Sequence, residues 1–392
     1  MEVSSNILIY NTTFFEGSET FIYNQYRAFT DYSPLLVAHD FKNLDRFVIS
    51  PNTKKLVINQ LPLGLKNRFF HFLRRKWKRT SYLLPTSTNK ELERAIKTEQ
   101  IKLVHAHFGP NGLCILPFCI KNSLPLVVSF HGYDASKLLL NEQYRSQLNL
   151  LFEYASSIVV CAEKMKRDLL SATADKYASK IQVVHYGVDI EMINQVEKPL
   201  QDKLDQNCVK IIHAGRLTPK KGILDLIQVF QLVQQQCLDK EVLLEIVGDG
   251  EEMVAAKQLT EDLGLSKNVI FYGAVSHLQL LAYVKSADIF VLNSRVSAEG
   301  DSEGFPNSIL EAMASKTAVV STNHAGIPEV VEDNETGLLV EEFDNSGLEE
   351  ALIRLVKNNE ERERLVSKAF FKVNQFSISV MNEKLNNLIA IL

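Results

Sequence analysis

Apolar and polar positions along the chain alternate in a regular way. Short apolar runs, rich in β-branched residues, are separated by segments long enough to form helices. This alternation predicts βα units and parallel sheets. The strands predicted in the first half of the chain are 7–10, 103–106, 126–130, 158–161 and 181–184. Those predicted in the second half are 209–214, 242–247, 269–272, 289–292 and 318–321.

A polar stretch, EKPLQDKLDQN at 197–207, separates the two series of strands and is the predicted linker. We therefore predict an N-terminal domain at 1–196 and a C-terminal domain at 208–370, each an α/β, doubly wound, Rossmann-like domain. Open α/β sheets bind ligands beyond the carboxyl ends of their strands, so the two sets of strand ends are expected to face a cleft. The final segment, 371–392, is helical in pattern and is expected to pack back on the N-terminal domain.

Composition supports this two-domain organisation. A chain of 392 residues with 46% hydrophobic and 23% charged residues is long enough for two buried cores. The net charge of −4 counts against a nucleic-acid partner, which usually requires a basic face. The five cysteines are scattered without a CxxC pair, as expected in a reducing compartment. No signal peptide or long apolar stretch is recognisable, so a cytoplasmic location is expected.

One segment, 64–84, differs from the rest of the chain in its charge. Its basic residues alternate with large apolar side chains, and the segment contains no acidic residue. The basic residues are Lys66, Arg68, Arg74, Arg75, Lys76, Lys78 and Arg79. A basic helix with aromatic anchors suits an anionic bilayer surface, which would make the protein peripheral at the inner face of the membrane. The alternative is an ordinary surface helix whose aromatic side chains are buried in the domain core.

The stretch EGFPNSILE places two glutamates eight positions apart, Glu303 and Glu311. Pro306 is tolerated in a first helical turn, and Gly304 allows a sharp turn before it. Glu303 is therefore expected at the mouth of a helix. Glu311 lies about 8 Å further along at the helical rise, too far for the two carboxylates to share a proton. The pattern indicates two contacts to one elongated polar ligand.

A loop after the first strand of the second half carries candidate anion-binding residues. In GRLTPKKG, Arg216 and Lys221 flank a loop that opens a helix near Gly222, which suits a diphosphate. An ordinary solvated loop is the alternative. The later GDG at Gly248 is a weak dinucleotide signal by itself. Neither GxGxxG after the first strand nor GxxxxGK[ST] is present, which counts against nicotinamide, flavin and P-loop enzymes.

Two histidine-containing motifs follow predicted strands of the first half. HAHFGPNG at 105–112 and SFHGYD at 129–134 should bring His107, His131 and Asp134 together at the sheet edge. A zinc site is an alternative, because HxH supplies two ligands. No third ligand has a recognisable spacing.

Several of these motifs, in this order, resemble a known family. GRLTPKKG, GDG, the two glutamates and HAGIPEVV…TGLLV at 324–340 resemble the donor domain of the retaining family-4 glycosyltransferases, which have the GT-B fold. In the first half, SETF at 18–21, HAHFG, HGYD and YGVD at 186–189 resemble the subgroup that builds bacterial exopolysaccharides such as colanic acid and amylovoran. Many relatives have a Gly-Gly pair after the first strand where this chain has FEGS at 15–18.

The resemblance implies roles for individual residues. Glu311 is expected to hold the nucleotide ribose, and His131 to lie beside the reacting sugar. Arg216 and Lys221 are expected to take the leaving diphosphate. The donor sugar and phosphates would be bound by Glu303 and by Gly17, Gly248, Gly304, Phe305, Pro306 and Asn307. The acceptor would be bound by Ser18, Glu19, His107 and Asp134.

The implied activity is retaining transfer of a hexose from a nucleotide-diphosphate sugar to a hydroxyl of a saccharide acceptor, expected to be lipid-linked. A UDP-sugar is the favoured donor and a GDP-sugar the alternative. The donor half shows no DxD pattern, so neither a metal nor another cofactor is expected. Two other functions remain open. A nucleotide-sugar 2-epimerase on the same fold would form product without acceptor, and a non-catalytic nucleotide-sugar-binding protein would not turn over.

Overall fold

The computed structural model describes residues 5–16, 19–29, 32–51, 53–59, 82–198 and 208–392. Contacts divide the chain into two compact units. The first comprises Met1–His185 and Ser379–Leu392, and the second comprises Tyr186–Ile378. The predicted linker at 197–207 lies mostly outside the described residues, as does most of the basic segment 64–84.

Among the described residues, the first unit contains nine strands and five α-helices before its C-terminal return. The strands are β1 (Ser5–Tyr10), β2 (Thr13–Phe14), β3 (Tyr32–Ala38), β4 (Asp40–Phe41), β5 (Lys54–Val57), β6 (Ile101–His107), β7 (Leu126–Phe130), β8 (Ser157–Val160) and β9 (Ile181–Val183). The helices are α1 (Thr20–Arg27), α2 (Thr86–Thr98), α3 (Gly109–Asn122), α4 (Glu142–Tyr154) and α5 (Glu163–Ala172).

The remaining elements lie in the second unit, apart from the last helix. The strands are β10 (Cys208–Ala214), β11 (Glu241–Val247), β12 (Val269–Gly273), β13 (Ile289–Leu292), β14 (Ala318–Thr322) and β15 (Leu338–Val340). The helices are α6 (Ile190–Gln195), α7 (Ile223–Gln236), α8 (Met253–Asp262), α9 (His277–Ser286), α10 (Asn307–Ala314), α11 (Ile327–Val330), α12 (Asn345–Lys357), α13 (Asn359–Lys372) and α14 (Ile378–Ala390). Nearly all of α14 belongs to the first unit, where Asn386 donates a hydrogen bond to the Ala28 carbonyl oxygen at 2.9 Å.

Both main sheets are parallel and doubly wound. The first has seven strands in the order β5-β3-β1-β6-β7-β8-β9, and the second has six in the order β12-β11-β10-β13-β14-β15. In each sheet the chain builds outward from a central strand to one side and then returns to build the other side. The strand order therefore reverses between β1 and β6 in the first unit, and between β10 and β13 in the second. Ligands of such sheets bind at these reversal points, beyond the carboxyl ends of the strands.

The central strands are largely apolar because helices cover both faces of each sheet. Ile211, Leu244 and Ile289, for example, have no exposed surface and form part of the core of the second unit. This packing fixes the backbone at the strand ends, which positions the polar loops that follow.

The predicted fold class, two doubly wound Rossmann-like α/β domains, is confirmed. All ten predicted strands are present, with ends that differ by at most about two residues, which is normal for such assignments. Five further strands, β2, β3, β4, β5 and β15, were not predicted. The largest of them, β3, contains Pro34, which cannot donate to a ladder and which makes the segment resemble a turn.

Candidate functional site

Two loops meet at the strand-order reversal of the second unit. The loop after β10 contacts the loop after β11 backbone to backbone: the Leu217 N–H donates to the Asp249 carbonyl oxygen, and the Glu252 N–H to the Leu217 carbonyl oxygen, both at 3.0 Å. Gly248 has a φ of +134°, and a Cβ built there would lie 1.9 Å from the Gly215 carbonyl oxygen. The first glycine of GDG is therefore required for this loop-to-loop contact.

Lys221 and Glu303 form a buried ion pair beside these loops. The Lys221 Nζ lies 3.0 Å from the Glu303 Oε1, and each side chain is only 11% exposed. Burial acts to raise the pKa of Glu303, but the positive charges of Lys221 and Lys220 outweigh it and lower the pKa to about 2. Glu303 is therefore an ionised carboxylate at neutral pH, held beside a fixed cation.

A second lysine, which sequence reasoning missed, secures the same segment. The Lys220 Nζ lies 3.0 Å from the Asp301 Oδ2. Arg295 pairs with Asp225 in the same region. These pairs tie the segment between β13 and α10 to the loop after β10 and to the first turn of α7. Arg216, in contrast, has an exposed side chain.

A buried histidine holds the backbone of Glu303. The Glu303 N–H donates to the His324 Nε2 at 3.2 Å, and the His324 Nδ1 lies 2.7 Å from the Glu342 Oε1. Because Nε2 accepts a hydrogen bond, Nδ1 carries the proton and donates it to the carboxylate. His324 lies in the HAGIPEVV motif, but its contacts could not be inferred from that pattern.

The helix that carries Glu311 begins one residue later than the sequence indicated. Pro306 has an extended backbone with ψ 102° and precedes the first helical residue, Asn307. The N–H groups of this first turn carry the positive end of the helix dipole. The Glu311 Oε1 lies 2.8 Å from the Nε2 of His277, at the start of α9. His277 is a second residue that sequence reasoning missed.

Buried polar atoms without a hydrogen-bond partner among the described residues concentrate around these loops. Among those around these loops are His213 Nε2, Thr218 Oγ1, Ser294 Oγ, Asp301 Oδ1 and Asn307 Oδ1. Buried polar atoms are normally paired, because an unpaired one costs about 1–3 kcal/mol. Their concentration at one end of one sheet identifies a site suited to a polar ligand. At its strand-order reversal, the second unit therefore offers the carboxylates of Glu303 and Glu311, the ammonium group of Lys221 and the N-terminus of α10.

The first unit has a separate constellation at the ends of β6 and β7. The His107 Nδ1 lies 3.0 Å from the His131 Nε2, and the His105 Nε2 lies 2.8 Å from the Ser129 Oγ. Burial lowers the pKa of His105 to about 4 and holds those of His107 and His131 well below the usual range. These imidazoles are therefore neutral and act as hydrogen-bond donors and acceptors.

Asp134 organises the loop that carries His131. Its carboxylate accepts the backbone N–H groups of His131, Gly132 and Gly109 at 2.9–3.0 Å. Burial raises the pKa of Asp134 to about 6, although the backbone donors oppose the rise. The side chain has no exposed surface. In this structure Asp134 holds the loop in place, and the predicted acceptor contact by its side chain stays a prediction.

Of the remaining predicted residues of the first unit, only Glu19 is among those that the structure describes. Gly17 and Ser18 lie outside the described residues. Glu19 immediately precedes α1, and burial raises its pKa to about 7. Asn111, which sequence reasoning missed, joins β1 to β6 because its Nδ2 donates to the Asn11 Oδ1 and the His107 carbonyl oxygen, both at 2.8 Å.

Within the described ranges, no group of three or more His, Cys, Asp or Glu side chains is arranged to hold a metal ion. No helix in the described part of the chain has the length and apolarity needed to cross a membrane.

Solved structures with the same fold include several glycosyltransferases. Anabaena Alr3699/HepE, crystallised with UDP and glucose, superposes with a TM-score of 0.80 at 19% identity, over 99% of this chain and all of that one. WaaG, a glycosyltransferase involved in lipopolysaccharide biosynthesis, has a TM-score of 0.66 at 15% identity over 98% of this chain and 99% of its own. The fold is GT-B.

The family follows from the sequence. Residues 38–192 match the Glycosyltransferase Family 4 model, and residues 196–370 match that of glycosyl transferases group 1. The amylovoran biosynthesis glycosyltransferase AmsK of Erwinia amylovora is 32% identical over 58% of this chain and 54% of its own length. A glycosyltransferase assigned to colanic acid biosynthesis in Escherichia coli K12, WcaL, is 29% identical over 73% of this chain and 70% of its own. The two halves of the chain thus contain a Glycosyltransferase Family 4 domain and a glycosyl transferases group 1 domain, as the sequence motifs predicted.

Proposed function

We propose that this chain transfers a hexose from a nucleotide-diphosphate sugar to a hydroxyl of a saccharide acceptor. The observation that carries the proposal is the buried Lys221–Glu303 pair at the strand-order reversal of the second unit. A carboxylate that stays ionised accepts hydrogen bonds from sugar hydroxyls. A lysine ammonium beside it neutralises phosphate charge.

In the proposed reaction, the bond between the anomeric carbon and the β-phosphate oxygen breaks, and a bond to the acceptor oxygen forms on the same face. The acceptor proton passes to the leaving phosphate, so configuration is retained without a protein nucleophile. Arg216 and Lys221 stabilise the charge that develops on the leaving diphosphate, and this preplaced charge is our reason for proposing a metal-independent reaction. Glu311 binds the ribose, and its Oε1 is already held by His277.

The donor and acceptor are proposed from relatives. HepE was crystallised with UDP-glucose, which favours a UDP-sugar. A Mycobacterium tuberculosis mannosyltransferase named as GDP-mannose-dependent is 33% identical over a third of this chain, so a GDP-sugar is the alternative. The amylovoran and colanic acid relatives support a role in bacterial cell-surface polysaccharide biosynthesis, and we propose a lipid-linked saccharide as the acceptor. We propose a cytoplasmic protein, peripheral at the inner face of the membrane through segment 64–84.

The test is a transfer assay in EDTA with a panel of UDP- and GDP-sugars, with and without lipid-linked saccharide acceptors. We expect a glycosylated acceptor, seen by mass spectrometry, with the anomeric configuration of the donor by NMR. Glu303→Ala should abolish its formation. An epimerised donor formed without acceptor would replace the proposal with a 2-epimerase. Donor binding without any product across the acceptor panel would instead leave a binding protein.

A further inference from the structure

Two histidines outside the proposed catalytic set contact the two glutamates of the donor site, one each. We propose that His324 is the positioning residue for Glu303 and His277 the positioning residue for Glu311, so that recognition of the sugar and of the nucleotide are controlled by separate histidines. The inference rests on the proposed function, because it takes Glu303 as the sugar contact and Glu311 as the ribose contact.

His324 fixes Glu303 through its backbone. Glu342 can only accept a hydrogen bond, so the proton of neutral His324 is on Nδ1, which leaves the lone pair of Nε2 for the Glu303 N–H at 3.2 Å. The Ser302 hydroxyl lies 3.1 Å from the same nitrogen. With only 2% of its surface exposed, His324 holds these contacts away from water.

The two sides of Glu303 are therefore held by different groups. His324 holds its backbone, while Lys221 holds its carboxylate at 3.0 Å. Loss of the backbone contact would let residue 303 shift while the Lys221 ammonium remained. The expected consequence is a misplaced carboxylate for the sugar hydroxyls, with no change at Glu311.

His277 fixes Glu311 through its side chain. His277 is the first residue of α9, and a capping box between Ser276 and Gln279 secures the backbone there. The carboxylate of Glu311 accepts from the His277 Nε2 at 2.8 Å through Oε1. That contact occupies Oε1 of Glu311, and the inference assigns the other oxygen, Oε2, to the ligand hydroxyl.

Replacing each histidine by asparagine or by glutamine distinguishes the contacts made by Nδ1 from those made by Nε2. Asparagine places its polar atoms where histidine has Nδ1, whereas glutamine reaches the position of Nε2. His324→Asn keeps a partner for Glu342 and loses the acceptor for the Glu303 N–H, and His324→Gln supplies an acceptor there. His277→Asn loses the donor to Glu311, and His277→Gln supplies one. Each glutamine variant is thus the matched control for its asparagine variant.

The experiment measures dissociation constants of UDP and UDP-glucose by calorimetry for the wild type and the four variants. We expect His324→Asn to raise the dissociation constant of UDP-glucose about tenfold, which is the size of effect expected for one lost hydrogen bond. The dissociation constant of UDP should stay within about twofold of the wild-type value. His277→Asn should weaken UDP and UDP-glucose alike, again about tenfold. The glutamine variants should recover most of each loss.

Three results would overturn either the proposed function or the positioning roles of the two histidines. A wild type that binds neither ligand refutes the proposed UDP-sugar function itself. A wild type that binds both, with His324→Asn weakening UDP and UDP-glucose equally or not at all, overturns the inference and leaves the function intact. Equal losses in the asparagine and glutamine variants would also overturn it, because a purely structural role predicts that pattern. Melting temperatures of all variants confirm that each compared protein is folded.

Discussion

Glu303 is a nearly buried carboxylate that remains ionised because two lysines lie beside it. Its folded-state pKa of about 2 lies below its usual value of 4.5, so the pair contributes stability above pH 4.5. That contribution is lost as the pH falls from 4.5 through about 2. The same charges that suit a diphosphate sugar therefore also stabilise the second unit.

Substitution of Lys221 measures how much the Lys221–Glu303 pair contributes to stability. Lys221→Met leaves the buried carboxylate of Glu303 without its nearest cation, and we expect the free energy of unfolding at pH 7 to fall by about 3 kcal/mol. The loss should be smaller near pH 3, because the unpaired carboxylate of the variant can take up a proton there and part of the wild-type stabilisation is already lost. Denaturant titrations at the two pH values measure both effects.

The control for that substitution is Lys42→Met. Lys42 pairs with Glu16 at 2.8 Å, but both side chains are about half exposed, at 49% and 50%. Such a surface pair contributes at most about 1 kcal/mol. Similar losses for Lys221→Met and Lys42→Met, or a loss independent of pH, would contradict the account of Glu303.

Arg216 should separate catalysis from stability. Its side chain is exposed, so Arg216→Ala should change the free energy of unfolding by no more than about 0.5 kcal/mol. Turnover should nevertheless fall by on the order of 10²-fold, because the substitution removes a preplaced charge from the leaving diphosphate. Steady-state kinetics with saturating donor measure the effect. Wild-type turnover would remove Arg216 from the proposed leaving-group site.

At this scale, the sequence identified residues with a strong local pattern and missed those defined by contacts. Glu303, Glu311 and Lys221 stand in motifs whose spacing is itself informative. His324 and His277 gained their importance from hydrogen bonds to residues far away in sequence. Such pairings depend on the packing of separate elements, so a single sequence does not reveal them.

Among the elements, the contact between the loops after β10 and β11 is the most constrained. Gly248→Ala would place a Cβ 1.9 Å from the Gly215 carbonyl oxygen, at a φ of +134°. We expect it to destabilise the second unit by about 3 kcal/mol or more, since backbone atoms must move apart and the conformation is strained. Calorimetric melting measures the loss, and UDP binding should weaken with it.

Gly264→Ala is the matched control, because Gly264 also has a positive φ, +71°, but nothing lies within 4 Å of its added Cβ. Only backbone strain of about 1–2 kcal/mol is expected there. If both alanine variants melt alike, steric contact with the loop after β10 is not what requires a glycine at position 248.

Strands that are short, largely apolar and buried along their whole length, such as β7 and β13, were predicted with their observed bounds. The missed strand β5 lacks that signal. β5 is only four residues long and begins with two exposed lysines, so it resembles a surface turn. Its strand conformation comes from pairing with β3, which is a tertiary contact rather than a local preference.

On the scale of the whole molecule, the two units carry different chemistry. The second unit has charged groups at its strand-order reversal, whereas the first has neutral histidines and asparagines at its own. This division fits a donor site for an anionic nucleotide sugar in the second unit and contacts to a neutral saccharide in the first. The basic segment 64–84 would add the only strongly cationic stretch recognised in the sequence.

That segment gives a prediction for the whole protein on membranes. Changing Arg74, Arg75, Lys76, Lys78 and Arg79 to glutamine should weaken binding to phosphatidylserine vesicles by about 1 kcal/mol for each charge removed. Hydrolysis of the nucleotide sugar should be unchanged. Vesicle sedimentation measures the binding.

The control replaces the same number of exposed lysines elsewhere: Lys102, Lys257, Lys267, Lys357 and Lys384. It matches the change in net charge without altering the basic segment. If vesicle binding falls equally in both variants, the net charge of the protein, and not the basic segment, accounts for the binding. Binding that falls in neither would return the segment to an ordinary surface helix.

A thermal-shift panel measures whether the second unit binds a nucleotide diphosphate through Glu311. UDP, GDP, ADP, CDP and dTDP are compared in EDTA on the wild type, on Glu311→Ala and on Glu350→Ala, which changes an exposed glutamate of α12. At 100 times its dissociation constant, a ligand stabilises the native state by about 2.7 kcal/mol. We predict that one nucleotide, UDP, raises the melting temperature of the wild type and of Glu350→Ala but not of Glu311→Ala. No shift with any nucleotide, or an equal shift in Glu311→Ala, would contradict the account.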